Sequence, residues 1–414
     1  MRAGTGMAIG AALLLAVTPL PHGAVNLNLT SAQWQQDVEY LGKELPRRHK
    51  NAFHTVSQAE FESAVQQLVQ DIPRLKPHQI IVRMLMLTSM VGDSHTTVHV
   101  PPEFKALPLG LVWFDGELRV VAAASAYKQA LGARVTKVNG IPLDEVQRRL
   151  SAVLSRGQNE WFVLAQSPAY LTRPEVLNTL GITPNPDRAT FSFAADDGSA
   201  FDLEVAGVPS NPRPQTESAA ASTPLFRQRP GEAFWFTRLP DSSVVYAAFR
   251  SYKDIGGPAR NLWASLNDAQ AECLVVDLRL NGGGDFNVGR RHVVEPLKKA
   301  LAGGKVRQAY VVTGRRTFSA ALANSIDLKR AGATVVGEPS GELPNSYSEN
   351  DELTLPNSKV VVSYSTRYYR FLEEDGPAFM PDHLIPPTWA DFVRGRDPVM
   401  EFVEKRCGAG HGSR

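Results

Sequence analysis

Three short stretches combine residue types and spacings that suit acyl transfer. In the first, Asp277-Leu278-Arg279-Leu280-Asn281-Gly282-Gly283-Gly284-Asp285, three glycines follow an apolar run. Glycine accepts positive φ and lets a reacting group come close to backbone N–H donors. The stretch is neither a Walker loop, which needs Gly-Lys-Ser/Thr, nor a dinucleotide fingerprint, which needs Gly-x-Gly-x-x-Gly. Two readings stay open: a glycine turn without a ligand, or a turn whose N–H groups stabilise an oxyanion. In the second, Thr317-Phe318-Ser319-Ala320-Ala321, a serine stands between a strand and a helix. Serine is a common N-cap. A nucleophile in that place gains from the helix dipole and from the Ala320 N–H. Position alone favours the cap.

A serine nucleophile needs a base, and nine histidines are present. His22 falls in an apolar leader. His49, His54, His78, His292 and His411 stand in polar contexts that read as exposed, and His99 lies in a strand-like run. His383, after Pro381-Asp382, is the rival in the C-terminal part. The third stretch, Gly92-Asp93-Ser94-His95-Thr96, follows an apolar helix, where a polar cluster has no packing reason to stand. Capping by Asp93 or Ser94 is the plainer alternative.

The elements that must position these residues follow from periodicity. Residues 31–90 repeat apolar positions at three and four, broken by Pro46, Pro73 and Pro77, which predicts three or four short helices. Residues 79–90 are apolar nearly all round and should be buried. From 108 to 138 the period shortens to strands, with turns at Asp115-Gly116 and Asn139-Gly140. A helix is expected over 143–153 and a hairpin around Asp196-Asp197-Gly198. Residues 208–228, rich in Pro, Ser, Thr and Ala, read as a linker or exposed loop. Beyond them, apolar strands at 244–249, 273–280, 309–313 and 334–337 alternate with helices. That pattern argues for a largely parallel sheet covered on both faces. Residues 359–371 alternate as a half-exposed strand.

The N-terminus has Arg2, an apolar run over 7–17, and then Pro19 and Pro21. This is the order of a secretory signal, with cleavage after Ala24 plausible although His22 stands where a small residue is preferred. The plainer reading is the unstructured apolar N-terminus of a cytosolic protein. No later segment reaches the ~18 apolar residues that a membrane helix needs. The chain has 44 basic and 42 acidic residues, mixed along its length, a balance that argues against a nucleic-acid partner. Cys273 reads as a buried apolar residue and Cys407 lies in a polar tail. One bridge is possible, nothing in the sequence argues for it, and the ligand spacing of a structural zinc site is lacking.

Taken together, Gly92–Thr96, Val276–Gly284, Thr317–Ala320 and Val335-Val336-Gly337-Glu338-Pro339 resemble the tail-specific, or C-terminal-processing, serine peptidases. The resemblance is greatest to the branch related to the tricorn protease core. The C-terminal-processing branch uses a Ser-Lys dyad, but no Lys or Arg occurs between Arg330 and Lys359. The resemblance therefore implies the tricorn-like set: Ser319 as nucleophile, His95 as base, Ser94 beside it, and Asp375 as the carboxylate, with Glu373 and Glu374 as rivals. It places the oxyanion hole at the backbone N–H of Gly283, or Gly284, with that of Ala320. Neither metal nor organic cofactor is implied.

The implied fold is α/β, with a crotonase- or ClpP-like ββα spiral core, an N-terminal helical cap and a small PDZ-like β-rich insert. Expected boundaries are a signal at 1–24, the cap at 25–104, the insert at 105–207, a linker at 208–228, the catalytic core at 229–406 and a tail at 407–414. The expected function is that of an exported, periplasmic or extracellular peptidase acting on peptides or unfolded protein. A non-catalytic ligand-binding or scaffold protein of the same fold, and a small-substrate esterase, are the alternatives. Oligomeric state is not written in the sequence.

Overall fold

The computed structural model describes residues 24–240, 242–268 and 271–408. The expected signal, as far as residue 23, and the tail beyond residue 408 lie outside the described residues. The fold is mixed α/β, with several sheets. No helix among the described residues is long and apolar enough to cross a membrane.

The helices begin where the sequence supplies caps. Thr30 caps Ser31–Arg48 in a capping box with Gln33, and Ser57 accepts the Glu60 N–H at the start of Gln58–Asp71. The first helix runs through Pro46 rather than stopping there. Pro77–Val91 is buried along nearly its whole length, as its composition requires, and stops at Gly92 in the left-handed conformation. A Cβ at Gly92 would stand 2.3 Å from Thr55 Oγ1, so both backbone and space demand glycine there.

The β-rich part contains the hairpin Leu109–Phe114 with Glu117–Ala123, the strand Arg134–Val138, and the hairpin Arg188–Ala194 with Ala200–Ala206. Asp115-Gly116 and Asn139-Gly140 take positive φ at both residues, the conformation that closes a two-residue hairpin. Residues 208–228 are not a free spacer. Val208–Pro209 pairs with Lys105–Ala106, and Glu217–Ser218 pairs with the end of Glu117–Ala123. One apolar cluster runs from the helices through this β-rich part and includes Leu353, Val362 and Tyr364 from near the C-terminus.

The C-terminal part is a six-stranded sheet in the order Phe234–Arg238, Val244–Phe249, Ala271–Asp277, Val306–Thr313, Thr334–Gly337, His383–Leu384. The first pair is antiparallel and every later pair is parallel. Alternate residues feed two cores. Val245, Leu274, Val276 and Val311 face the helices Gly256–Asp268 and Ala320–Arg330, while Tyr246, Cys273, Val275 and Val312 face the C-terminal helix Pro398–Gly408. Cys273 therefore points toward that helix and is disulfide-bonded to Cys407, with Cα atoms 6.1 Å apart.

One further sheet joins the two ends of the chain. Asn345–Thr354 and Val361–Arg370 form a long hairpin, and Thr97–Val98 adds to its edge, with Thr97 opposite Ser363. The Gly92–Thr96 turn is thereby held against residues about 250 positions later in the chain.

Candidate active site

Ser319 stands at the N-cap position of Ala320–Arg330, yet its side chain makes no capping hydrogen bond. Its backbone has φ 54° and ψ −123°, a conformation that a non-glycine residue holds only when its surroundings force it. The surroundings are two bolted loops. Thr317 Oγ1 donates to the Leu278 carbonyl at 2.9 Å and Phe318 N–H donates to the Asn281 carbonyl at 3.1 Å. Asn281 is in turn tied to the Phe249 carbonyl. The result is a sharp strand-to-helix turn that presents a serine hydroxyl, the geometry of a nucleophile elbow. The plainer reading of Ser319 as a helix cap does not describe it.

His95 is brought to the same place by its turn. Asp93 is buried and accepts the His95 N–H at 3.0 Å, the Ser365 hydroxyl at 2.6 Å and the His49 ring at 2.9 Å. Burial pushes the Asp93 carboxyl up, but hydrogen bonds and charge from His49, with Ser365 and Thr96, outweigh it and hold the group below its usual range. His49, which the sequence placed in an exposed context, is buried in this role. The His95 ring stacks on Phe318 at 4.7 Å. Its Nε2 lies 3.2 Å from Ser348 Oγ, and its Nδ1 lies 3.3 Å from Ser94 Oγ. Burial pushes the His95 pKa down to about 4 against the weaker pull of Asp93, so the ring is neutral at neutral pH.

The residue that joins the two is one the sequence reading passed over. Glu342 Oε2 accepts the backbone N–H of Ser319, and Oε1 lies 3.5 Å from His95 Nδ1. Burial raises Glu342 to about 8. Between about pH 4 and 8 the His95–Glu342 contact is thus between two neutral groups and is not an ion pair. Among the described residues no direct hydrogen bond joins Ser319 Oγ to His95. Glu342 stands four residues after Glu338, in the segment between Arg330 and Lys359 that holds no lysine, and its type and place there are the signal that the sequence offers.

The remaining expected residues divide. Ser94 lies beside His95, as noted. Asp375 does not reach it: its carboxylate accepts from Asn345 Nδ2 at 2.6 Å on an exposed turn, and the carboxyl groups next to His95 belong to Glu342 and Asp93. A residue after a strand end can point either way, and here the Asn345 amide holds Asp375 outside. Gly283 packs against Ser319 so closely that a Cβ would meet Ser319 Cβ at 2.7 Å. Its N–H, however, donates to Asn281 Oδ1 at 2.9 Å. Gly284 and Ala320 both line the pocket beside Ser319. A pocket of about 390 Å³ opens beside Ser319, Ala320, Glu342 and Ser348, with Phe286, Tyr369 and Phe371 on its wall. Among the described residues no group of three or more His, Cys, Asp or Glu is arranged to hold a metal ion.

No protein-family model and no curated protein matches the sequence. Solved structures do match. Mature CPAF superposes with a TM-score of 0.62 at 14% identity, over 92% of this chain and 99% of that one. Mature CPAF complexed with lactacystin gives 0.60 at 12% identity, over 92% and 98%. A mutant of CPAF gives 0.61 at 13% identity, over 93% and 99%. The chain has the fold of these proteins along nearly its whole length.

Proposed function

We propose that this chain is an exported serine peptidase of the tail-specific, tricorn-core-like group, with Ser319 as nucleophile and His95 as base. The observation that carries the reading is the backbone of Ser319. A φ of 54° and ψ of −123° costs of the order of 1–3 kcal/mol, and a merely capping serine has no use for it. In the proposed reaction Ser319 Oγ attacks the substrate carbonyl carbon and its proton passes to His95. The Gly284 and Ala320 N–H groups hold the oxyanion, His95 returns the proton to the leaving amine, and water repeats the sequence to release the acid.

Glu342 gives this scheme its electrostatics. Once its carboxyl proton has been lost to solvent, near pH 8 and above, the Glu342 carboxylate stabilises the imidazolium that forms when His95 takes the Ser319 proton. The ββα spiral core and the PDZ-like character of the 105–207 segment belong to the same reading. So does export, which the Cys273–Cys407 bridge supports because disulfides persist in oxidising compartments.

One observation favours a non-catalytic relative instead. His95 has both ring nitrogens near other partners, and among the described residues the polar link between it and Ser319 runs through Glu342. A fluorophosphonate probe separates the two readings. The peptidase reading expects labelling of the wild-type chain that is lost in Ser319→Ala and in His95→Ala, with lactacystin worth trying as a competitor. A folded wild-type chain that does not label is a binding protein.

A further inference from the structure

The pocket beside Ser319 has a wall that the proposed reaction leaves unused. Alternation along Val361–Arg370 sets it up: Tyr368 is exposed and packs on Tyr347, at 4.9 Å between ring centres, while Tyr369 lines the pocket. Phe371, two residues on, lines it as well, and its ring stacks on that of Tyr369 at 5.3 Å with the planes 4° from parallel. Phe286 opens the short helix Phe286–Gly289 and meets both rings edge-on, at 5.9 and 6.4 Å and at 86° and 83°. Stacked and edge-on pairs at these separations are the arrangements that aromatic quadrupoles favour. All three rings are half-buried, and Leu322 and Leu343 continue the apolar lining of the cavity of about 390 Å³. A further ring entering there meets both a face and edges of its own kind.

The charged groups on the same wall are already engaged. Glu349 accepts the Tyr369 hydroxyl and pairs with Arg367, Nε to Oε1 at 3.4 Å. Asp285 accepts the Asn287 N–H at 2.8 Å as the cap of its helix. Glu342 keeps its proton up to about pH 8. A charged side chain entering the pocket would lose water and meet, besides an engaged counter-charge, a charge of its own sign: Asp285 and Glu349 for an acid, Arg367 for a base. An aromatic side chain meets no such cost. Gly284, Ser319 and Ala320 line the same cavity, so the rings stand next to the reacting hydroxyl. We propose that this three-ring wall is the specificity pocket of the site and takes the aromatic side chain of the residue whose carbonyl Ser319 attacks, so that peptides are cut after Phe or Tyr. Calling the occupant a substrate residue rests on the peptidase reading above; the preference of the pocket for a ring rests on its wall alone.

N-acetyl amino-acid p-nitrophenyl esters isolate this contact, because each carries a single side chain, on the acyl side. For wild type, kcat/KM on the phenylalanine ester is expected to exceed that on the alanine ester by roughly ten-fold or more, the gain from burying a ring in place of a methyl. The lysine and glutamate esters should fall at or below alanine. Phe286→Ala and Phe371→Ala should each cut the phenylalanine-to-alanine ratio by roughly five-fold or more. A loss of folded protein scales both substrates and leaves that ratio unmoved. Equal rates on the phenylalanine and alanine esters, faster turnover of the lysine or glutamate ester, or an undiminished ratio in both folded variants overturns the proposal. Should neither variant fold, the ester series on wild type decides. Normal fluorophosphonate labelling without a preference for the ring refutes the pocket and leaves the peptidase reading standing. Should wild type neither label nor cleave, the peptidase reading falls, and anisotropy of fluorescein-labelled Gly-Gly-Phe-Gly-Gly against its alanine counterpart judges the pocket. Tighter binding of the phenylalanine peptide upholds it; equal or absent binding overturns it.

Discussion

One carboxyl group, that of Glu342, touches both proposed partners: Oε2 takes the Ser319 N–H and Oε1 lies 3.5 Å from His95 Nδ1. Removing its capacity to ionise while keeping its shape is the most direct test of that link. Above pH 8, where Glu342 is ionised, Glu342→Gln is expected to lower kcat on a chromogenic ester or peptide by roughly a hundred-fold, with KM changed little, because the carboxylate meets an imidazolium only in the transition state. Asp375→Asn, on its exposed turn, is expected to stay near wild type. A loss at Asp375 equal to that at Glu342 would return the carboxylate role to Asp375.

The pH profile should not show the ionisation near neutrality that an ordinary histidine base implies. His95 is already neutral above about pH 4, and Glu342 loses its proton only near 8. Activity is expected to be nearly level between those values and to rise through pH 8, as a Glu342 carboxylate makes the neighbouring imidazole more basic. In Glu342→Gln the upper rise should vanish. A single limb near 6.5 in both proteins contradicts this picture of the site.

Stability should depend on pH through the same pair. The Glu342 pKa is raised on folding, so its contribution is full below about 4.5, the unfolded value, and is lost as pH rises through 8. The His95 pKa is depressed, so its contribution is full above about 6.5 and is lost as pH falls through 4. Urea melts of Glu342→Gln are expected to match wild type near pH 4.5 and to show greater stability at pH 8.5. The difference should be of the order of a few kcal/mol. An unchanged difference across that range means that Glu342 is not held protonated.

Strain at Ser319 predicts an unusual order of variants. Glycine in place of alanine normally costs about 0.5–1 kcal/mol, but only glycine adopts φ 54°, ψ −123° freely. Ser319→Gly should therefore be at least as stable as Ser319→Ala in thermal melts. If alanine wins by the usual margin, the elbow is relaxed.

The Cys273–Cys407 bridge spans 134 residues and closes the C-terminal helix onto the sheet. Its removal, in Cys273→Ala/Cys407→Ala, is expected to cost about 2–5 kcal/mol. Urea melts under oxidising conditions measure it, and reductant should affect wild type and leave the double variant unmoved.

The strands of the C-terminal sheet were legible because their apolar runs are continuous, and Ser319 and His95 because each stands where packing gives a polar residue nothing to do. Asn345–Thr354 was not legible: a strand made of Asn, Ser, Tyr, Glu and Asp has no alternation, and only its pairing with Val361–Arg370 fixes it. Ser348 was lost with it. Glu342 was missed because a single buried acid leaves no local pattern; its burial is set by Ser319 and His95 arriving from elsewhere in the chain. The polar stretch 208–228 looked like a tether because its strands are two residues long and borrow their partners.

The hairpin that receives Thr97–Val98 also imposes a timetable. His95 lies 253 residues ahead of Ser348, and Asp93 lies 272 ahead of Ser365. A chain emerging N-terminus first has made its histidine turn, its β-rich part and even its serine elbow before the residues that hold the turn in place exist. Until roughly the last sixth of the polypeptide arrives, the imidazole lacks Ser348 and the turn lacks Ser365, so partly made chains and C-terminal truncations should be inert bystanders rather than loose cutters.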